Sequence, residues 1–157
     1  MDKILNILID SQHKKLGLLD EIMAKCDELD RCLASEIPDI DRYNELMREK
    51  KSLIDKMTQL DDGFVALYER VSPGLRENAG LYAGKLKELK ALVTDASSRT
   101  ALIQARELRT RARIDKLAAL CTTQTSFKPA RADAARKYNN VMNKTTRPRS
   151  IFVDRKK

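Results

Sequence analysis

The chain has 157 residues, 34% of them charged and only 4% aromatic, and it contains no tryptophan. This composition is typical of long helices with much exposed surface, and it argues against sheets, which favour aromatic and β-branched residues. The formal net charge of +8 resides in residues 122–157, since residues 1–121 carry 21 basic and 21 acidic side chains. No stretch approaches the roughly 20 apolar residues that a membrane-spanning helix needs, and no secretion signal is expected. The sequence therefore predicts a cytoplasmic protein without an integral membrane segment.

Apolar residues recur three and four positions apart through the first part of the chain. A period near 3.5 keeps one stripe of a helix facing its neighbours over many turns, as in a coiled coil. The spacing predicts a first helix over residues 2–34. Gly17 lies in the middle of it and costs roughly 1 kcal/mol relative to alanine, which packing has to outweigh. The stripe consists of Leu5, Leu8, Leu19, Ile22, Cys26, Leu29 and Leu33.

A second helix is predicted over residues 38–71, after a break at Ile37-Pro38. The residue before a proline is disfavoured in the α region, so the first helix has to stop there. Either Asp39 as N-cap or Pro38 in the first turn then opens the new helix. Gly63 is its weak point. The stripe of this helix consists of Tyr43, Leu46, Lys50, Leu53, Met57, Leu60, Phe64, Leu67 and Val71.

A third helix is predicted over residues 73–122, because Ser72 and Pro73 form a favourable N-cap and first-turn pair. The two breaks are short, so neighbouring helices have to fold back antiparallel. The predicted fold is an all-α antiparallel bundle of three long coiled-coil-like helices. We expect it to form one domain over residues 1–122.

The third helix is predicted to be longer than its two partners, which leaves apolar residues near its C-terminal end without a cover. Leu108, Ile114, Leu117 and Leu120 make up this surplus stripe. A large exposed apolar surface indicates an interaction site. The second copy of a homodimer, the C-terminal tail or a client protein has to cover it, and we take these four residues as the predicted client-binding site.

Residues 123–157 form a basic tail, expected to be flexible or to fold on a partner. A short helix over 130–143 would place Tyr138 and Met142 on one face, and Phe152 belongs to a small apolar group near the end. Tyr138 and Met142 are the predicted anchors of the tail on its partner.

Nothing in the sequence points to catalysis. His13 is the only histidine, and the chain has no glycine-rich phosphate loop and no zinc-ligand spacing. The three cysteines are odd in number and form no C-x-x-C pair, which suits free thiols in a reducing compartment. We expect no enzyme activity, no cofactor, no metal and no small-molecule substrate.

A cluster of arginines in the third helix has to be weighed as a nucleic-acid site. Arg106, Arg109 and Arg113 share a helix face, which suits phosphate contacts. Glu107 and Asp115 interrupt the cluster, and it lacks the interleaved aromatic residues on which bases stack. A solvated helix face is the favoured interpretation.

Two segments resemble the FlgN-like flagellar type III export chaperones. One is the middle helix Arg42–Val71, with a Lys/Glu-rich start, a leucine seam and a charged turn followed by a bulky apolar residue. The other is the ending, where a Tyr-Asn element precedes a short apolar-Asp-basic-basic end. The matching residues of the ending are Tyr138, Asn139, Phe152, Asp154, Arg155 and Lys156.

The resemblance implies a small cytoplasmic all-helical chaperone that uses no nucleotide and no metal. Such proteins bind the terminal helices of hook–filament junction proteins and deliver them to the export gate, with Tyr138, Met142 and Phe152 as the expected gate contacts. FliT-type chaperones have similar helices, and the pattern does not separate the two types. Two other classes stay open: a homo-oligomeric structural coiled coil without an export client, and a binder of nucleic acid or anionic surfaces through the basic tail.

Overall fold

A computed structural model describes residues 1–123 of the chain, with side chains up to Leu120. Three helices make up this part: α1, Asp2–Ala34; α2, Ile40–Glu77; and α3, Ala83–Thr123. Residues 1–123 contain no strand. The predicted all-α fold with three long helices is confirmed.

The first interhelical turn lies where the sequence places it. α1 ends at Ala34, and the Asp39 carboxylate accepts a 3.0 Å hydrogen bond from the backbone N–H of Arg42. A side-chain oxygen at the N-cap satisfies one of the backbone donors that every helix leaves free in its first turn. Of the two predicted starts for α2, the structure has the Asp39 N-cap.

The predicted second break, at Ser72-Pro73-Gly74, is wrong. α2 continues through Pro73 to Glu77. Proline cannot donate a hydrogen bond to the carbonyl four residues back, which here is that of Glu69. The Ser72 hydroxyl donates to this Glu69 oxygen at 3.4 Å and so supplies a replacement donor. The extra turn brings Leu75 into the core, where it is almost fully buried.

The second turn therefore lies further along the chain, at residues 78–82. The backbone N–H and the side-chain amide of Asn78 both donate to the Gly74 carbonyl, and the Leu81 N–H donates to the Asn78 carbonyl. These bonds occupy carbonyls that the end of α2 leaves without a helical partner. As a result α3 begins at Ala83, ten residues later than predicted.

The described residues divide into two compact units, and each takes a segment from all three helices. Unit 1 consists of Met1–Ile22 and Leu53–Thr100, and the described part of unit 2 consists of Met23–Ser52 and residues 101–123. The core of unit 1 is formed by Leu5, Leu8, Ile9, Val71, Leu75 and Leu89. The core of unit 2 is formed by Leu29, Leu33, Tyr43, Leu46, Met47 and Ile114.

Ion pairs show the helix directions within the units. In unit 1, Lys85 binds Asp2 and Arg99 binds Asp20, so the positions paired along α1 and α3 rise together and these two helices run parallel.

In unit 2, Lys25 binds Glu49 and Glu28 binds Arg42, so the paired positions fall along α2 as they rise along α1. α1 and α2 are therefore antiparallel, as the short turn between them requires.

The predicted stripe of α1 is buried along its whole length, and so are Tyr43, Leu46, Lys50, Leu53 and Met57 of α2. Further along α2 the pattern changes. Leu60, Phe64 and Leu67 are only partly buried, although they continue the same spacing. Their exposed sides face a groove of unit 1.

Candidate functional site

The structure places the four predicted client-binding residues in different environments. Ile114 is 1% exposed in the core of unit 2, and Leu117 is partly buried against the same cluster. Leu108 is 70% exposed and Leu120 48% exposed. The premise that this stripe has no cover is wrong for Ile114 and Leu117, because residues from the end of α1 and the start of α2 pack against them.

The apolar residues of α3 that stay exposed in unit 2 do not form one surface. Leu102 and Leu120 are five helical turns apart and share a face, whereas Leu108 lies roughly 120° away from it. A coiled-coil partner needs a continuous seam on one face. These three leucines therefore do not provide the seam of a two-stranded dimer.

The arginine cluster of α3 is partly neutralised. Arg106 contacts Asp27 and donates to Asp30 at 2.7 Å, and Asp30 also accepts a 2.9 Å hydrogen bond from Thr110. Hydrogen bonding to Asp30 raises the pKa of Arg106 above its ordinary value. Arg113 lies 3.9 Å from the same carboxylate. A guanidinium held by two carboxylates is not available to bind phosphate.

An open groove runs between α1 and α2 in unit 1. Two neighbouring hollows, of about 360 Å³ and 510 Å³, make up this groove and share Lys14, Gln59 and Leu60 as lining residues. We refer to them together as the α1–α2 groove. The groove is lined by Ile7, Leu8, Asp10, Ser11, Lys14, Gly17, Leu18 and Glu21 of α1, and by Lys56, Gln59, Leu60, Gly63, Phe64 and Leu67 of α2.

The α1 wall of the groove follows a helical repeat distinct from the core stripe. Ile7, Ser11, Lys14, Leu18 and Glu21 lie three or four residues apart and so occupy one face. Ile7 is 55% exposed, although isoleucine is among the residues most often buried. The α1 wall is therefore mixed, with Ile7 and Leu18 as its apolar residues and Ser11, Lys14 and Glu21 as its polar ones.

The α2 wall joins the groove to the core of unit 1. Phe64 and Leu67 pack against the core cluster with one side and line the groove with the other. Phe64 also stacks on Tyr68, with ring centroids 6.1 Å apart and planes within 4° of parallel. The groove thus has a partly buried apolar floor.

One ion pair ties the two walls together. Lys15 donates to Asp61 at 2.8 Å, and both side chains are mostly buried. Each of them follows a lining residue in sequence, Lys14 on α1 and Leu60 on α2. The pair therefore joins α1 and α2 directly beside the groove.

Unit 2 contains a nearly buried ion pair between α2 and α3. Lys50 binds Glu107 at 2.6 Å, with 4% and 11% of the two side chains exposed. Burial raises the pKa of the nearby Cys26 thiol, which keeps it protonated and unreactive. The described residues contain no group of three His, Cys, Asp or Glu side chains that would hold a metal ion. His13 is exposed.

The predicted gate contacts Tyr138, Met142 and Phe152 lie outside the described residues, as does the rest of the tail after Thr123. Within the described part, no helix is long and apolar enough to cross a membrane. No protein-family model, no curated protein and no solved structure matches the chain.

Sequence reasoning missed the α1–α2 groove because it followed only the strongest apolar stripe. Two signals for the groove were nevertheless present. Ile7 and Leu18 are apolar but fall outside the core stripe, on the wall of the groove. Gly17 and Gly63 lie inside two long helices, where glycine is unfavourable, and both line the groove.

Proposed function

We propose that this protein binds an amphipathic helix of another protein in the α1–α2 groove of unit 1. The observation that carries the proposal is the groove itself, which has an apolar floor of Leu60, Phe64 and Leu67 and an exposed Ile7 on its rim. Two antiparallel helices with an apolar cleft between them offer the geometry in which a third helix docks by its apolar face.

The energetics suit a reversible carrier. Fully burying an exposed apolar side chain contributes roughly 1.5–3 kcal/mol. On docking, the exposed Ile7 would gain part of this, and the partly buried Leu60, Phe64 and Leu67 would gain less. This gain is offset by the cost of association and of ordering the partner. The rim bears both signs of charge, Asp10 and Glu21 beside Lys14 and Lys56, and thus suits a helix with mixed charges beside its apolar stripe.

The resemblance to FlgN-like chaperones suggests the identity of the client. In this proposal the partner is a terminal helix of a hook–filament junction protein, which the chaperone keeps from aggregating in the cytoplasm. The role requires no catalysis and no cofactor. Delivery to the export gate is assigned to the basic tail, with Tyr138, Met142 and Phe152 as its contacts.

A matched pair of substitutions tests the site. Ile7 and Leu108 are both exposed, but only Ile7 lines the groove. In pull-downs with the hook–filament junction proteins of the same organism, Ile7→Asp should weaken binding by about tenfold or more, equivalent to about 1.4 kcal/mol. Leu108→Asp should leave binding unchanged. The reverse result would return the client site to α3.

The tail is tested separately by removing residues 124–157. The shortened chain should bind its junction protein as tightly as the full chain, while export of that protein fails. Normal export by the shortened chain would rule out a role of the tail at the gate. If no junction protein binds the full chain, the chaperone assignment is wrong.

A further inference from the structure

Two glycines in the middle of long helices have no role in the protein's own packing. Gly17 lies midway along α1 and Gly63 midway along α2, where glycine lowers helix stability relative to alanine. Close packing against a neighbouring helix is the usual reason to keep such a glycine. At both positions, a Cβ atom added to the glycine would meet no other atom within 4 Å.

Both glycines border the same open space. Gly63 lines the smaller hollow of the α1–α2 groove, and Gly17 lines the larger one. The two hollows share Lys14, Gln59 and Leu60, so the glycines stand on opposite walls of one groove. Because the two glycines have no side chains, space remains in the groove at both positions, and no other described atom fills it.

We propose that Gly17 and Gly63 are close-approach positions, at which the backbone of a docked amphipathic helix packs directly against the two walls. This inference rests on the proposed function of the groove and adds the residues that determine its specificity. Small residues let two helix backbones approach more closely than larger side chains allow.

The dimensions of the groove define its occupant further. The lining residues of α1 extend from Ile7 to Glu21, about four turns or roughly 21 Å at 1.5 Å per residue. The occupant is an amphipathic helix of at least this length, with apolar residues at i, i+4, i+7 and i+11 that face the apolar floor of Leu60, Phe64 and Leu67. Small residues where it crosses the glycines would give the tightest fit.

Alanine substitutions test this inference, because they separate stability from binding. Gly17→Ala and Gly63→Ala should each raise Tm, since alanine favours the helix and its methyl group meets open space. Both should weaken helix binding by about fivefold to tenfold, because the methyl group occupies the approach path. Gly84→Ala is the matched control, since its Cβ also meets nothing within 4 Å but it lies in α3 and outside the groove.

The probe is a fluorescein-labelled synthetic peptide of 18 residues, with leucine at the four repeat positions, alanine at the crossing positions, and lysine and glutamate elsewhere. Anisotropy titration of the full chain measures its Kd. Weaker binding by the two groove variants together with unchanged binding by Gly84→Ala supports the inference. Equal affinity for all three variants, or no saturable binding to the unsubstituted chain, overturns it.

The outcome is separable from that of the proposed function. A chain that binds the peptide but no junction protein keeps the helix groove and loses the export role. A chain that binds its junction protein with unchanged affinity after Gly17→Ala and Gly63→Ala keeps the export role, and the close-approach inference fails.

Discussion

Units 1 and 2 are built from the same three helices, yet they differ in how those helices are held together. In unit 2, Lys50 of α2 and Glu107 of α3 form an ion pair at nearly buried positions. In unit 1 the two pairs between α1 and α3, Lys85–Asp2 and Arg99–Asp20, are more exposed, Lys15–Asp61 is intermediate, and the α1–α2 groove is open.

The distribution of glycine follows the same division. All five glycines of the chain, Gly17, Gly63, Gly74, Gly80 and Gly84, fall within unit 1. Glycine weakens a helix and leaves space beside it. The described part of the chain thus combines a unit with a nearly buried ion pair, Lys50–Glu107, and a unit that contains all five glycines and the open α1–α2 groove.

Breaking the buried pair of unit 2 should have the largest effect. Lys50→Ala leaves the Glu107 carboxylate buried without its partner and should lower the free energy of unfolding by about 3–5 kcal/mol. Urea denaturation measures this loss in the free energy of unfolding. The double variant Lys50→Met/Glu107→Leu should be near neutral or stabilising, because two apolar side chains replace the charges together.

Lys85 of unit 1 provides a control, because its ion pair is as short as that of Lys50. It also binds a carboxylate at 2.6 Å, that of Asp2, but with 32% and 65% of the two side chains exposed. Lys85→Ala should therefore cost at most about 1 kcal/mol. Equal losses for Lys50→Ala and Lys85→Ala would contradict the difference between the units.

Core substitutions in α3 should show a similar contrast. Ile114→Ala removes a fully buried side chain and should cost about 2–5 kcal/mol by leaving a cavity in unit 2. Leu108→Ala, on the same helix but 70% exposed, should change stability by less than about 0.5 kcal/mol. Thermal or urea unfolding measures both. A small effect of Ile114→Ala would restore the original expectation of an uncovered stripe.

Leu60 tests how open unit 1 is. The sequence alone predicts a loss of several kcal/mol for Leu60→Asp. Because the side chain is half-buried at the groove, we expect a smaller loss, about 1–2 kcal/mol. Leu46→Asp in the core of unit 2 should cost more than about 4 kcal/mol, since an unpaired charge is buried. Equal losses in urea denaturation would show that the groove is closed in solution.

The smallest effect concerns pH. The Glu49 carboxyl accepts a hydrogen bond from Lys25 at 2.6 Å, and this bond lowers the pKa of Glu49 below its ordinary value. A lowered folded-state pKa contributes stability above the unfolded pKa, and this contribution is lost as pH falls through the folded value. Glu49→Gln should therefore flatten the decline in unfolding free energy between about pH 6 and pH 3. An unchanged slope would show that the pair contributes nothing.

The fold was predictable from the sequence where the apolar repeat is strong and a cap is present. The repeat of α1 and the Asp39 cap place the first turn within a residue or two of its observed position. The second turn was misplaced because proline usually ends a helix. Here Ser72 supplies the donor that Pro73 lacks, and burial of Leu75 favours the extra turn. The Ser72 hydrogen bond and the burial of Leu75 depend on the folded structure, so the sequence pattern alone does not reveal them.

The candidate site was less predictable than the fold. The misplaced turn made α3 appear ten residues longer at its start, and the surplus was assigned to its far end. The cover of Ile114 comes from Leu33 and Tyr43, which are far away in sequence, so no local pattern reveals it. Gly17 and Gly63 were recognised as weak points, but only the structure shows that both border one groove.

The proposal that an amphipathic helix binds in the α1–α2 groove is tested most directly by hydrogen exchange of the full chain, measured with and without a synthetic 18-residue amphipathic peptide. We expect slower amide exchange in residues 7–21 and 56–67, the two walls of the α1–α2 groove, because docking suppresses local opening there. Exchange in residues 101–120 should stay unchanged. Protection confined to residues 101–120, with none at the two walls, would contradict the account and place the binding surface on α3.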